Sequence, residues 1–372
     1  MSVTESQVLD ALRPIVDPDF QRSIVDLGFV KDVRIEAGAG GARVAFAIEL
    51  TTPACPVKAE FERAAKERVE ALPGVAEAAV TMTAQTRRAA PASPTAEALP
   101  GVRNTIAVAS GKGGVGKSTT AINLAIALRE TGATVGVLDA DVYGPSLPLL
   151  TGARGRPTAV DKRIYPLEAH GLKLMSMGFF LTDDSPVIWR GPMVHGLVRQ
   201  FLTDVEWGEL DYLVVDCPPG TGDAALTLTQ QAPLSGAVIV TTANDLSLID
   251  ARKGLAMFQK VNVPVLGIVE NMSYFTPPEP ELADRRYYIF GQGGGARIAR
   301  ELGVDFLGEV PIDPRVVETG DRGRPIVLDA PDSPAAQAFR ELAGTVARKL
   351  AVLAETTPAL ADPNIVWVTN QS

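Results

Sequence analysis

The chain has 372 residues, of which 46% are hydrophobic, a formal net charge of −9 and two cysteines. This length and composition predict about two domains with a full hydrophobic core, and the acidic balance argues against a wide basic surface for nucleic acid. Cys55 and Cys217 are too few for a disulfide framework, which is typical of a reducing compartment.

The N-terminus MSVTESQVLDALRPIVDPDF lacks the basic and apolar regions of a secretory signal. Nowhere does the chain offer the roughly 18 uninterrupted apolar residues that a membrane span needs. We therefore expect a cytoplasmic protein that has neither a membrane nor nucleic acid among its partners.

Residues 1–84 are predicted to form a small α+β domain. The patterns indicate a helix in SQVLDALRPIV, strands in VKDVRI and RVAFAIEL, a helix after Pro56 and a strand in GVAEAAVTMT. Residues 85–102 are rich in Ala and Pro and predict a flexible linker. A second domain is expected over 103–355, followed by a tail at 356–372.

Apolar runs alternate with helical patterns throughout the second domain: TIAVAS, TVGVLDAD, LKLMSMGF, DYLVVDCP, GAVIVTT, VPVLGIVENM and DFLGEVP. Runs that are apolar throughout are typical of strands covered on both faces. The sequence therefore predicts an α/β fold with a doubly wound, mostly parallel sheet.

The segment GKGGVGKS, from Gly111 to Ser118, matches the phosphate-loop pattern G-x-x-x-x-G-K-[ST] between a predicted strand and a predicted helix. Glycines let backbone N–H groups surround phosphates at a helix N-terminus. Lys117 is expected to reach the β and γ oxygens, and Ser118 to ligate Mg²⁺. The residues predicted to surround ATP here are Gly111, Lys112, Gly113, Gly114, Val115, Gly116, Lys117, Ser118 and Thr119.

Three carboxylates follow predicted strands. Asp139 and Asp141 end the run TVGVLDAD, and Asp216 ends LVVD. Ligands of open α/β sheets bind at the carboxyl ends of the strands. Together with the phosphate loop, these positions predict a nucleotide site that holds magnesium.

Several further strings resemble the Mrp (ApbC) branch of iron–sulfur cluster carrier ATPases, in the deviant Walker A superfamily, over residues 104–353. They are KGGVGKS, DADVYGPSLPLLTG, VIWRGPMV, DYLVVDCPPGTGD, ENMSYF and FGQGGGARIARELGVDFLGEVPIDPRV. VDPDF, SIVDLGFV and LTTPACP resemble the small iron–sulfur assembly domain often fused to that branch. The resemblance implies a homodimer that hydrolyses ATP slowly, carries a cluster to apoproteins and works with assembly factors.

The same resemblance implies roles for individual residues. Lys112 would act across the dimer on the nucleotide of the other subunit, although a solvated lysine is the alternative. Asp141 would orient the attacking water, and Gly220 would belong to the second switch. The expected Mg²⁺ ligands are Ser118, Asp139 and Asp216, whereas Asn271 and residues 310–313 would recognise adenine.

One departure concerns the cluster. The family often carries C-x-x-C after ENMSYF, but this chain reads ENMSYFTPPEPELADRRYYIFG, without cysteine. We hypothesise that a labile [4Fe–4S] cluster is bridged between two subunits by Cys55, although a structural role for Cys55 stays open. Cys217 is interpreted as a core residue, and neither His170 nor His195 receives a role.

Two alternative functions stay open. A positioning or partition ATPase shares the loop, but membrane-binding members need a basic C-terminal helix. The last predicted helix has balanced charges, carried by Arg340, Glu341, Arg348, Lys349 and Glu355. The other alternative is a nucleotide-dependent assembly scaffold that holds no cluster itself.

Overall fold

The structure is a computed structural model that describes residues 3–38, 40–54, 57–88, 99–181, 191–282 and 284–356. The chain divides into two compact units, one formed by Met1–Arg88 with Ala347–Thr356 and the other built on the residues between them. Within the described ranges, no helix is both long enough and apolar enough to cross a membrane. Residues 89–98 of the predicted linker and 357–372 of the predicted tail lie outside the described residues.

The first unit contains a three-stranded sheet and two helices. Its sheet has the order β3-β4-β5, antiparallel between β3 and β4 and parallel between β4 and β5. The second helix buries Phe61, Ala65 and Val69 at a spacing of four residues, which places them on one face toward the core. The elements are α1 (Glu5–Leu12), β1 (Val16–Asp17), β2 (Arg22–Ser23), β3 (Val30–Gly38), β4 (Gly41–Leu50), α2 (Lys58–Glu70) and β5 (Val75–Ala84).

Helix α1 is shorter than the sequence predicts. It starts after Thr4, which forms a capping box with Gln7. Its last helical residue is Leu12 and Arg13 is the C-cap, because Pro14 has no backbone N–H with which to continue the helical hydrogen bonds. The predicted continuation to Val16 is therefore wrong, whereas the α+β character of this region is confirmed.

The second unit is organised around an eight-stranded sheet. Its strands are β6 (Val102–Ala109), β7 (Val135–Asp139), β10 (Leu167–Ala169), β11 (Leu172–Ser176), β12 (Leu210–Asp216), β13 (Gly236–Thr241), β14 (Val265–Phe275) and β15 (Phe306–Ile312), and a separate hairpin is formed by β8 (Thr158–Val160) and β9 (Arg163–Tyr165). The order in the sheet is β10-β11-β7-β12-β6-β13-β14-β15. Every pairing is parallel except that between β10 and β11.

Helices follow most of these strands. They are α3 (Lys117–Glu130), α4 (Leu147–Thr151), α5 (Gly191–Thr203), α6 (Asp223–Gln231), α7 (Asp245–Lys260), α8 (Gly294–Leu302), α9 (Pro314–Asp321), α10 (Ile326–Asp329) and α11 (Pro334–Thr356). Helices α5 to α8 contribute to one core cluster with alternate residues of the sheet, and α3 packs against β6, β7 and β12. The predicted doubly wound, mostly parallel α/β fold is confirmed.

Candidate functional site

The carboxyl ends of three neighbouring strands form the floor of the site. In the parallel register, Asp216 at the end of β12 stands opposite Asp139 at the end of β7 and opposite Val108 of β6. The chain leaves β6 directly into the loop that contains Gly111 to Gly116. Residues that are distant in sequence therefore meet beside this loop because parallel strands align their carboxyl ends.

The loop has the backbone conformation that its glycines permit. Gly114 and Gly116 have φ angles of 80° and 81°, and Gly116 is the residue that precedes the first turn of α3. Such left-handed angles strongly favour glycine. A Cβ atom on Gly111 would lie 2.1 Å from the backbone of Asp250 in α7, so no side chain fits there. The loop thus turns back over the N-terminus of α3, where backbone N–H groups attract anions.

We expect Gly116→Ala to lower the free energy of unfolding by about 1–3 kcal/mol because of backbone strain at a positive φ. The new Cβ would also lie 2.1 Å from Nδ2 of Asn271. Urea unfolding measures the change, and Gly113→Ala is the matched control because a Cβ there meets nothing within 4 Å. Equal losses of stability in both variants would contradict this account of the loop.

Lys117 lies inside the site and its ammonium faces Asp216. The side chains of Lys117 and Asp216 are 6% and 4% exposed and form a direct ion pair. The Lys117 ammonium also lies 3.3 Å from Oγ of Ser118. Because both charges are removed from water, their pairing is what makes their burial tolerable.

Two buried carboxylates share this single buried lysine. Burial raises the pKa of Asp139, and the neighbouring charge of Asp216 raises it further. Burial likewise raises the pKa of Asp216, although Lys117 opposes that shift. Both shifts disfavour the ionised carboxylates, and a divalent cation beside them would lower these pKa values and stabilise the ionised forms.

The carboxylate of Asp139 accepts four hydrogen bonds. Its Oδ1 accepts from the backbone N–H of Asp141 at 3.1 Å, and its Oδ2 accepts from Ser146 N at 3.1 Å, Leu147 N at 3.2 Å and Ser176 Oγ at 2.9 Å. A carboxylate offers about four acceptor positions. Asp139 thus holds the loop that carries Asp141, an arrangement that sequence reasoning missed because its donors come from different segments.

Asp141 stands at the mouth of the site. Its Oδ1 accepts from Gly144 N at 3.1 Å, which fixes the carboxylate against its own loop. Asp141 also lines a cavity of about 320 Å³. Other residues around this cavity are Tyr143, His195, Pro218, Pro219 and Asp223. The side chain is therefore accessible, unlike those of Asp139 and Asp216.

Asn271 contacts the phosphate loop directly. Its Nδ2 donates to the carbonyl oxygen of Val115 at 2.8 Å, and the residue is only 7% exposed. Beyond it, the end of β14 and residues 311–313 line a cavity of about 700 Å³. In that cavity Arg286 lies 4.1 Å above the ring of Tyr274. The sequence had singled out Asn271 and residues 310–313, but not these two side chains.

Lys112, in the loop that precedes α3, is half-buried. Among the residues that the structure describes, no carboxylate forms an ion pair with its ammonium, and its carbonyl oxygen accepts from Ser110 Oγ at 2.8 Å.

Two further residues singled out from the sequence lie next to the loop. Thr119 is half-buried in the first turn of α3. Gly220 has a φ of 84° and donates its N–H to the carbonyl of Ser110, so the segment that contains Gly220 contacts the start of the loop.

Of the two cysteines only Cys217 is described, and both histidines contact neighbouring polar groups. Burial raises the pKa of the Cys217 thiol to about 12, as expected for a core residue. Cys55 lies outside the described residues. His170 Nε2 lies 2.8 Å from the carbonyl oxygen of Thr151, and His195 Nε2 lies 2.8 Å from Thr227 Oγ1. In the described part of the chain, no group of three or more His, Cys, Asp or Glu residues is arranged to hold a metal ion.

Comparison with known proteins gives two family matches. Residues 101–347 match the ParA family described as NUBPL iron-transfer P-loop NTPase, and residues 5–81 match the iron–sulfur cluster assembly protein family. The iron–sulfur cluster carrier protein of Synechocystis is 50% identical over 357 residues, which cover 95% of this chain and 99% of that protein. Its counterpart in Deinococcus radiodurans is 46% identical over 360 residues, with 95% and 99% covered.

A solved structure agrees with these matches. A nucleotide-binding protein of Archaeoglobus fulgidus, in complex with ADP, is 42% identical and has a TM-score of 0.55, and the match covers 61% of this chain and 88% of that one. The family resemblance stated from the sequence is thereby confirmed. This chain belongs to the NUBPL iron-transfer P-loop NTPase family and carries an iron–sulfur cluster assembly domain before its P-loop domain.

Proposed function

We propose that this protein is a homodimeric ATPase that binds an iron–sulfur cluster and transfers it to apoproteins. The observation that carries the ATPase part is the buried pair of Lys117 and Asp216 beside a glycine loop at the N-terminus of α3. The cargo is inferred from relatives of nearly the same length that are named iron–sulfur cluster carrier proteins. Its cytoplasmic location stays a prediction.

The donors present fit magnesium. Mg²⁺ prefers oxygen ligands and is held by one or two carboxylates together with substrate phosphates. Ser118 and Asp216 offer such oxygens beside the loop, and a cation there would stabilise the ionised forms of the buried carboxylates. When bound, the ion neutralises charge that develops on the phosphoryl oxygens. Because Oδ2 of Asp139 already accepts three hydrogen bonds and Oδ1 accepts only one, we propose that Asp139 chiefly shapes the loop of Asp141 and that Oδ1 is the atom left to face a metal ion.

The chain's own residues would then divide the work of hydrolysis. Lys117 turns from Asp216 to the β and γ oxygens, and the N-terminus of α3 binds the same phosphates. Asp141, which is exposed to the cavity at the mouth, orients the attacking water. Lys112 has no partner in its own described chain and reaches the γ-phosphate of a second copy. A cation supplied in this way makes hydrolysis depend on dimerisation.

Adenine recognition is proposed for the cavity beyond Asn271. Pro311, Ile312 and Asp313, from the segment 310–313 for which the sequence predicts adenine recognition, line it, and Tyr274 and Arg286 form a stacked pair at its side. Planar side chains suit the face of a purine base. Asn271 connects this cavity to the phosphate loop through the carbonyl of Val115.

The proposed cluster site is where this chain departs from the family pattern. C-x-x-C is missing after ENMSYF, and Cys217 is a buried thiol with a raised pKa. Since a cluster needs thiolates, we propose that Cys55 from two subunits bridges a labile cluster, and that other thiols complete its ligation. The shortage of thiolates equally favours a second candidate, a nucleotide-dependent assembly scaffold that holds no cluster.

Anaerobic reconstitution with iron and sulfide separates these two functions. We expect the wild type and Cys217→Ser to bind iron and to gain a visible absorption band, because Cys217 takes no part. Cys55→Ser is expected to lose both signals. If Cys55→Ser keeps them while Cys217→Ser loses them, the choice of ligand is wrong. A wild type that binds no cluster would leave only the scaffold.

A further inference from the structure

The end of β14 bends at four residues that we call the β14 corner: Glu270, Asn271, Met272 and Ser273. Asn271 pairs with Val310, and the next pair in the register joins Phe275 to Ile312. Three residues of β14 therefore stand opposite the single residue Pro311. Met272 has a φ of 54°, a left-handed angle that few residues other than glycine adopt. Such strain persists only where the surroundings hold it in place.

Glu270 holds the corner from inside the protein. Its side chain is fully buried, with Oε1 accepting from Ser273 Oγ at 2.6 Å and Oε2 accepting from the backbone N–H of Gly295 at 2.6 Å. No lysine, arginine or histidine among the described residues forms an ion pair with it. The carboxylate is thus stabilised by a hydroxyl and by the first turn of α8.

The corner touches the phosphate loop on one side. Asn271 donates to the carbonyl of Val115, and Cε of Met272 lies close to Gly116. A shift of the loop on phosphate binding would act on this hydrogen bond between Asn271 and Val115. Because Glu270 is the preceding residue on the same strand, that shift also bears on its two hydrogen bonds.

On the other side, a surface segment from Tyr287 to Gly295 is held at both ends by β14. Phe275, two residues beyond the corner, exchanges two backbone hydrogen bonds of 2.9 and 2.8 Å with Tyr287, and Glu270 of the corner accepts from Gly295. The first four residues of this segment, 287–290, we call the apolar loop. Tyr287, Ile289 and Phe290 are 46%, 62% and 40% exposed there, although large apolar side chains are usually buried.

We propose that Glu270 is a positioning residue that couples the phosphate loop to the apolar loop. Nucleotide fixes Val115 and Asn271, the strained corner cannot relax without breaking the buried bonds of Glu270, and the position of the apolar loop follows. The inference rests on the proposed nucleotide site and goes beyond it, since it concerns residues that do not touch nucleotide. It predicts that ADP alters the solvent protection of a loop outside the site.

Hydrogen exchange of the full chain, followed by mass spectrometry, tests this coupling at saturating ADP and Mg²⁺. In the wild type we expect ADP to slow exchange in peptides covering 287–293 by about fivefold or more. Glu270→Ala is expected to lose this protection. Glu270→Gln is expected to keep it, because its amide oxygen still accepts from Gly295 and the Ser273 hydroxyl can turn to accept from its NH₂ group.

A second variant disrupts the contact between Glu270 and Gly295 from the side of α8. A Cβ on Gly295 would lie 2.9 Å from Cβ of Glu270, so Gly295→Ala is expected to remove the protection even if Glu270→Ala fails to fold. Arg300→Ala, an exposed change in the same helix, is the control and should protect like the wild type.

Calorimetric titration of ADP separates the two proposals. If ADP binds but the wild type shows no protection, or if Glu270→Ala and Gly295→Ala keep it, the coupling is refuted while the nucleotide site stands. If ADP does not bind to the wild type, the nucleotide site is refuted and the coupling with it.

Discussion

Lys117→Ala is expected to abolish ATP turnover and to weaken nucleotide binding severely. Lys117 is the cation that lies beside Asp216 at the bottom of the phosphate loop, only 6% exposed. Without it, the phosphate oxygens lose their ammonium partner in the loop, and Asp216 loses the lysine with which it is buried. A loss of about 10²–10³-fold in turnover is typical when one preorganised donor is removed. Phosphate release and calorimetric titration of ATP measure the two effects.

A loss of ATP turnover caused by misfolding must be distinguished from one caused by the missing ammonium. Lys260→Ala is the matched control, because it removes an exposed lysine at the end of α7 and leaves the site untouched. Circular dichroism and thermal unfolding of both variants report on folding. An unchanged ATP affinity and rate in a folded Lys117→Ala protein would refute the assignment of the loop.

Lys112→Ala is expected to slow ATP hydrolysis strongly without weakening ATP binding. ATP binding should stay close to that of the wild type, because Lys112 makes no contact with Lys117, Ser118 or Asp216 in the structure. Hydrolysis should fall by about 10²-fold or more, since the charge that stabilises the transition state is lost. Comparison of binding by calorimetry with turnover by phosphate release separates the two.

Mixing experiments test whether this lysine acts across a dimer. In a mixed dimer of Lys112→Ala with Asp141→Ala, one site has both an intact Asp141 of its own and an intact Lys112 from the other subunit. An equal mixture forms mixed dimers half of the time, each with one complete site, so roughly a quarter of wild-type turnover should return. Each variant alone should stay inactive. Failure to recover activity at every mixing ratio would contradict action in trans.

Much of the fold follows from local patterns. The seven predicted strands of the second unit appear as β6, β7 and β11 to β15, because strands buried on both faces leave continuous apolar runs. Helix α1 was overestimated because the apolar period continues past Pro14, whereas the backbone cannot. The edge strand β10 and the hairpin of β8 and β9 have short, mixed sequences that give no such pattern.

The candidate site also has parts that can be predicted from local sequence and parts that cannot. The phosphate loop could be predicted because its glycines, its lysine and its serine are contiguous and their conformations are local. That Asp139 ligates the metal stays a prediction, and the structure adds that its carboxylate accepts hydrogen bonds from residues 141–147 and from Ser176, which are not contiguous with it in the sequence. No role is predicted for Glu270, because a single glutamate in an apolar strand has no polar partner close to it in the sequence.

The sequence by itself determined the alternation of seven apolar strands with helices in the second unit, the phosphate loop and the carboxylates at the ends of β7 and β12. Only the tertiary structure decided that Lys117 pairs with Asp216, that Asn271 holds the carbonyl of Val115 and that Glu270 is bonded to Gly295. Hydrophobic periodicity and glycine spacing involve residues that are close to one another in the chain, so they can be recognised in the sequence directly. The pairing of buried polar groups depends instead on which strands lie side by side, and it is fixed only when the sheet forms and water is excluded.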